Sequence, residues 1–183
     1  GSKTITAELT YHGKTDTISK SIKIYNNSIP AIYSYEIVNT YPHDISSYTQ
    51  GLEFFNGELF ESTGQRGQSK LRKIDFQTGE VLQNIELNPK FFGEGITILN
   101  GNIYQLTWQA KMGFIYDANT LERKGSFKYG RSKEGWGICN DGSSLYKSDG
   151  TEKIWILNPE NMTEEVHLEV YTEKGKIPSL NEL

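Results

Sequence analysis

Gln50-Gly51-Leu52-Glu53-Phe54, Glu94-Gly95-Ile96-Thr97-Ile98 and Trp136-Gly137-Ile138-Cys139 are three versions of one segment, and their recurrence decides the fold. Gly51, Gly95 and Gly137 recur at intervals of 44 and 42 residues, a period that belongs to repeat architectures. Each segment runs into a pair that favours two-residue hairpin turns because it tolerates positive φ: Asn56-Gly57, Asn100-Gly101 and Asp141-Gly142. A second strand follows in Leu59-Phe60-Glu61-Ser62, Ile103-Tyr104-Gln105-Leu106 and Leu145-Tyr146-Lys147-Ser148, and a third at 71–75, 113–117 and 153–158. Each third strand closes in a polar turn, such as Asp75-Phe76-Gln77-Thr78-Gly79, before an alternating fourth strand such as residues 81–87. Four antiparallel strands in roughly 42 residues is the content of one propeller blade.

Closed propellers carry about four to eight blades, so three are too few. Leu180-Asn181-Glu182-Leu183 reads as the start of a fourth unit, with Leu183 opposite Ile138. The expectation is an all-β chain, a partial β-propeller over residues 31–183 with about three blades and flanking strands, the C-terminal blades missing. Residues 1–30 fall outside the repeat. Gly1-Ser2 reads as a scar from removal of an expression tag, so compartment is not legible from the start of the chain. Residues 4–11 and 19–25 alternate as a hairpin joined through 12–16, read as the end of a preceding β-sandwich domain or an extra propeller edge, with 26–30 as connector. The alternation of Tyr33, Tyr35, Ile37 and Val38 suggests a lone fourth strand of the kind that closes a ring.

Composition removes several function classes. Nineteen basic residues against 23 acidic ones give a net charge of −4. With no basic stripe, nucleic acid is not an expected partner. No apolar run approaches the roughly 18 residues of a spanning helix, so no membrane partner is expected either. Cys139 is the sole cysteine, which excludes an internal disulfide and a cysteine metal cluster and reads as a small core residue. His12, His43 and His167 are too scattered for a zinc site. No serine lies in a Gly-x-Ser-x-Gly context, so a serine hydrolase has no support.

Structural residues should repeat from blade to blade, whereas residues that do chemistry should differ. Two places before the aligned Leu or Ile stand Gln50, Glu94, Trp136 and Asn181, no two alike. Strand residues two apart share a face, so these four should form a ring on the channel side of the innermost strands. Trp108 stands where the other units have Gly64 and Gly150. Glu94 lies between Phe91-Phe92-Gly93 and Gly95; flanking glycines admit a ligand to the backbone, and aromatic neighbours should push its carboxyl pKa upward. A purely structural Glu94, bonding backbone amides between blades, fits the spacing equally well. Ser62-Thr63-Gly64 and Ser148-Asp149-Gly150 read as turn chemistry.

These motifs together resemble a known family. Tyr48-Thr49-Gln50-Gly51-Leu52, Glu61-Ser62-Thr63-Gly64 with Gly67-Gln68-Ser69, Phe92-Gly93-Glu94-Gly95-Ile96-Thr97, Gln105-Leu106-Thr107-Trp108, Glu134-Gly135-Trp136-Gly137, Ser148-Asp149-Gly150 and Leu180-Asn181-Glu182-Leu183 look like the plant and bacterial type of glutaminyl-peptide cyclotransferase. The resemblance runs from about Tyr41 to the end. It implies a five-bladed propeller that turns N-terminal glutaminyl residues into pyroglutamyl residues with release of ammonia, without a metal or other cofactor in its chemistry. A structural ion in the channel stays open. By the same resemblance Glu94 is the catalytic acid/base, and Gln50, Trp108, Trp136 and Asn181 bind substrate. The implied partners are peptides or proteins with an N-terminal glutamine, the implied state a monomer, and the implied source a bacterium that exports the protein to the periplasm or the exterior. The family pattern continues to a further tryptophan and a lysine in later blades, so the site carried by these residues is incomplete and the fragment alone is expected to be weakly active or inactive. The competing reading is a non-catalytic propeller that binds peptide or sugar on an aromatic channel face.

Overall fold

The computed structural model describes residues 1–183 except Asn26 and Ser28. An exposed hairpin comes first, β1 (Ser2–Tyr11) and β2 (Lys14–Lys23). Three four-stranded antiparallel sheets follow. The first holds β3 (Thr49–Phe55), β4 (Glu58–Thr63), β5 (Lys70–Ile74) and β6 (Val81–Glu86). The second holds β7 (Gly93–Leu99), β8 (Asn102–Thr107), β9 (Met112–Asp117) and β10 (Arg123–Lys128). The third holds β11 (Ile138–Asn140), β12 (Leu145–Ser148), β13 (Lys153–Leu157) and β14 (Glu164–Glu169). Strands pair in sequence order within every sheet, each sheet forming one blade. A small hairpin, β15 (Tyr171–Thr172) and β16 (Gly175–Lys176), ends the pattern.

The blades stack face to face. Phe60, Leu71, Ile96, Ile98, Phe114 and Tyr116 fill the seam between the first and second. Leu106, Phe127, Ile138, Leu145, Trp155 and Leu157 fill the next. Near the site the innermost segments of successive blades touch backbone to backbone, which explains the recurring glycine. A Cβ on Gly51 would stand 2.6 Å from the amide nitrogen of Ile96, one on Gly95 2.8 Å from the carbonyl oxygen of Trp136, and one on Gly137 2.4 Å from that of Asn181. The sheets do not close into a ring: Leu52 and Phe54 of the first blade are more than half exposed.

Several boundaries depart from the sequence reading. The first hairpin turns tightly at His12-Gly13, both with positive φ, and β2 begins at Lys14 rather than after a loop to 16. Asn56-Gly57 and Asn100-Gly101 are the expected two-residue turns, with φ of 51° and 82°, and of 51° and 72°. Asp141-Gly142 is not one. Asp141 keeps negative φ because its carboxylate accepts the backbone N–H groups of Ser143 and Ser144, which opens a four-residue turn before β12. Residues 31–48 contain no strand, and Tyr33, Tyr35, Ile37 and Val38 are exposed; an alternating segment becomes a strand only by pairing its backbone, and among the described residues no strand pairs with this one. Part of the connector expected at 26–30 lies outside the described residues. Cys139 is half-buried rather than a core residue.

Candidate active site

Gln50, Glu94, Trp108, Trp136 and Asn181 all line one cavity of about 270 Å³, with Tyr48 and Phe92 completing its wall. Inner strands deliver Gln50 and Glu94 through irregularities, while Trp108 follows β8 and Trp136 and Asn181 lie outside the strands. The register of β3 on β4 shifts between Thr49 and Gly51, and that of β7 on β8 between Gly93 and Ile96. Gln50 and Glu94 lie in these bulges, which re-aim side chains. Trp136 precedes β11 instead of lying on a strand as expected; its N–H donates to Ser148 O (3.2 Å) and its carbonyl accepts from Gly95 N–H (2.9 Å).

Glu94 is the carboxyl among the residues lining this cavity. It is only 5% exposed, and burial pushes its carboxyl pKa up to about 8, against a hydrogen bond from Gln50, with the Glu182 and Glu134 carboxylates adding to the rise. The Gln50 Nε2 donates to Glu94 Oε2 at 2.6 Å. Among the described residues no donor reaches Oε1, so that oxygen is left for a ligand. A carboxyl poised near neutral pH exchanges protons readily with an amine.

The aromatic wall is ordered by edge-to-face contacts: Tyr48 on Phe92 with centroids 6.1 Å apart, and Phe92 on Trp108 at 5.5 Å. Gly64 and Gly150 lack side chains because rings fill their space. A Cβ on Gly64 would stand 2.4 Å from Phe92, and one on Gly150 2.7 Å from Trp136. The Ser-Thr-Gly and Ser-Asp-Gly segments are therefore not simple turns: Ser62 lies within β4 and Ser148 ends β12, and their hydroxyls donate to the carbonyl oxygens of Glu94 on the next blade and of Asn181 beyond the third blade. Asn181 is exposed at the mouth, and its side-chain amide makes no hydrogen bond among the described residues.

Tyr48 and Glu134 had no assigned role in the sequence, and Phe92 was read only as an aromatic neighbour of Glu94. Each lies two positions before a ring residue, so the same alternation taken one step back would have found them. Glu134 Oε2 accepts both indole N–H groups, from Trp108 at 2.7 Å and Trp136 at 2.8 Å. Among the described residues no three His, Cys, Asp or Glu side chains are grouped to hold a metal ion.

A sequence model of the glutamine cyclotransferase family matches residues 8–183, beginning upstream of the motif-bearing stretch. A glutaminyl-peptide cyclotransferase from Arabidopsis thaliana is 39% identical over 150 residues, which is 81% of this chain and 46% of that protein. The crystal structure of Myxococcus xanthus glutaminyl cyclase is similar with a TM-score of 0.72 at 29% identity, covering 80% of this chain and 61% of that one. The WD40 repeats of RRP9 share the fold alone, with a TM-score of 0.55 at 12% identity over 71% of this chain and 41% of theirs. The chain thus spans about half the length of the curated relative it matches.

Proposed function

The chain belongs to the glutamine cyclotransferase family, and on that premise we propose that it carries the Glu94-bearing part of the active site of a glutaminyl-peptide cyclotransferase, an enzyme converting N-terminal glutamine of peptides or proteins to pyroglutamate with release of ammonia. The observation that carries this reading is the buried Glu94 carboxyl, raised to about 8 inside an aromatic-walled cavity. A free α-amine titrates at about 7.7–8.0, so proton exchange between the two is close to balanced.

The glutaminyl side chain lies between the Trp108 and Trp136 rings, which fold it so that its amine meets its own amide carbon. Glu94 takes a proton from the amine. The amine nitrogen bonds to the side-chain carbonyl carbon, and the oxygen gains negative charge. Asn181 is the free amide at the mouth and donates to that oxygen, a contribution of about 2.7–4 kcal/mol for such a donor. Collapse breaks the bond to the amide nitrogen, which leaves as ammonia with the proton held by Glu94, and the ring nitrogen then gives its second proton to the freed Glu94 carboxylate. Acid/base assistance of this kind supplies about 10²–10⁴-fold, and ring closure within one molecule adds the advantage of proximity. Every step is proton transfer or acyl transfer, so no cofactor is required.

The test is ammonia release from a glutaminyl dipeptide by the full-length protein, beside this 183-residue chain and a full-length Glu94→Gln variant. Release by the full-length protein that disappears in the variant is expected. Near-normal release by Glu94→Gln would sink the mechanism, and none from folded full-length protein would sink the activity.

A further inference from the structure

Trp108 and Trp136 come from different blades, yet their indole nitrogens converge on a single atom, Glu134 Oε2. An indole N–H can only donate. Two such donors on one carboxylate oxygen form charge-assisted bonds, roughly twice as strong as neutral ones. Burial alone would raise the Glu134 carboxyl, but the bonds from Trp136, Trp108 and Gln109 outweigh it and hold its pKa below the usual range. Residue 134 is itself held from behind. Gly135 N–H donates to Trp108 O at 3.1 Å, and a Cβ on Gly135 would stand 2.3 Å from the Tyr129 hydroxyl oxygen. That hydroxyl is fixed in turn, donating to Thr107 O and accepting from Thr107 N–H, each at 2.8 Å.

We propose that Glu134 is a positioning residue for the cyclisation: by taking both indole N–H groups on one oxygen, it fixes the relative placement of Trp108 and Trp136 and so the fold of the glutaminyl side chain between them. What is folded rests on the cyclotransferase reading; the clamp on the indoles does not. Both indole N–H groups are thereby committed to Glu134 and act as walls, which leaves the substrate oxyanion to another donor.

The experiment reads the indole N–H resonances of the full-length protein by ¹H–¹⁵N correlation, assigned with Trp108→Phe, Trp136→Phe and Trp155→Phe, beside dipeptide kinetics. In Glu134→Ala the resonances of Trp108 and Trp136 should move upfield together. That of Trp155, which donates to Asp149 at 2.7 Å, should stay in place and report an intact third blade. Turnover should show kcat/KM lower by about ten- to a hundredfold, the usual span for losing two such bonds. KM should rise as well, which a smaller folded fraction would not cause. Glu134→Gln offers an amide oxygen to the same two donors and should recover kcat/KM to within about threefold, with both resonances displaced less far. Unmoved indole resonances in Glu134→Ala would overturn the proposal, as would a Glu134→Gln enzyme as impaired as the alanine variant with its indoles in place. Should Glu134→Ala fail to fold, joint displacement of the two resonances in Glu134→Gln supports the clamp and their constancy refutes it. A full-length protein that releases no ammonia would refute the cyclotransferase reading, while the resonances still decide the clamp.

Discussion

The Gln50 side-chain amide donates to Glu94 Oε2 at 2.6 Å across the seam between the first and second blades. That bond favours the carboxylate, opposing the burial that lifts the carboxyl to about 8. On the proposed mechanism the reacting complex holds one proton shared between Glu94 and the substrate amine, which itself titrates at about 7.7–8.0. The profile of kcat/KM should therefore be a bell centred near pH 8. Gln50→Leu removes the opposing bond and should move the Glu94 limb to higher pH, measured with a glutaminyl dipeptide in the full-length protein. A limb that stays in place or moves down would contradict the assignment.

Glu94 should also shape stability. Its folded pKa is raised above 4.5, so the fold binds a proton that the unfolded chain releases. Stability from this group is complete below about pH 4.5 and declines until pH passes about 8, by at most about 1.4 kcal/mol per pH unit. Denaturant titrations between pH 5 and 9 should show Glu94→Gln flattening that decline. A variant as pH-sensitive as the wild type would mean the carboxyl is not buried as described.

Two glycines make a paired test of the blade seam. At Gly95 a Cβ would meet the Trp136 carbonyl oxygen at 2.8 Å and Gly137 Cα at 2.9 Å, both backbone atoms unable to turn aside. Gly95→Ala should cost at least about 1–3 kcal/mol, as overpacking does. Gly125 has open space around the same position and no positive φ, so Gly125→Ala should be neutral or stabilising by about 0.4–1 kcal/mol. Chemical denaturation of both variants checks the contrast.

Lys147 and Glu164 form a buried ion pair in the third blade, 2.7 Å apart with side-chain exposures of 0% and 2%. Ser132 Oγ also bonds the ammonium and the carboxylate, both at 2.5 Å. Glu164→Gln strands the ammonium in the interior and should cost about 3–5 kcal/mol. The double replacement Lys147→Met with Glu164→Leu should recover only part of that loss, since it removes the stranded charge but leaves the backbone N–H groups of Arg131 and Ser132, which Glu164 accepts, without a partner. Urea midpoints of the single and double variants decide it.

Much of this molecule was legible one blade at a time. The recurrence of Gly51, Gly95 and Gly137, the Asn-Gly turns and the alternating strands express backbone preference and period-two burial, both set by residues a few positions apart. The ring positions Gln50, Glu94, Trp136 and Asn181 were legible for the same reason, as unlike residues at one place in a repeating unit. What neighbouring residues cannot encode is which atoms meet across a seam. The bulges that turn Gln50 and Glu94 into the cavity, the union of two indoles on Glu134, and the Ser62 and Ser148 hydroxyls on the carbonyls of Glu94 and Asn181 all join residues distant along the chain. Residues 31–48 show the same limit in reverse, because alternation around Tyr33–Val38 specifies a strand only where a partner edge exists. The sequence by itself determined the blades and the ring positions that line one cavity, since strand period and turn conformation are local properties. Only the tertiary structure decided the proton level of Glu94 and the clamp on the tryptophans, since burial and hydrogen-bond partners are properties of packed blades.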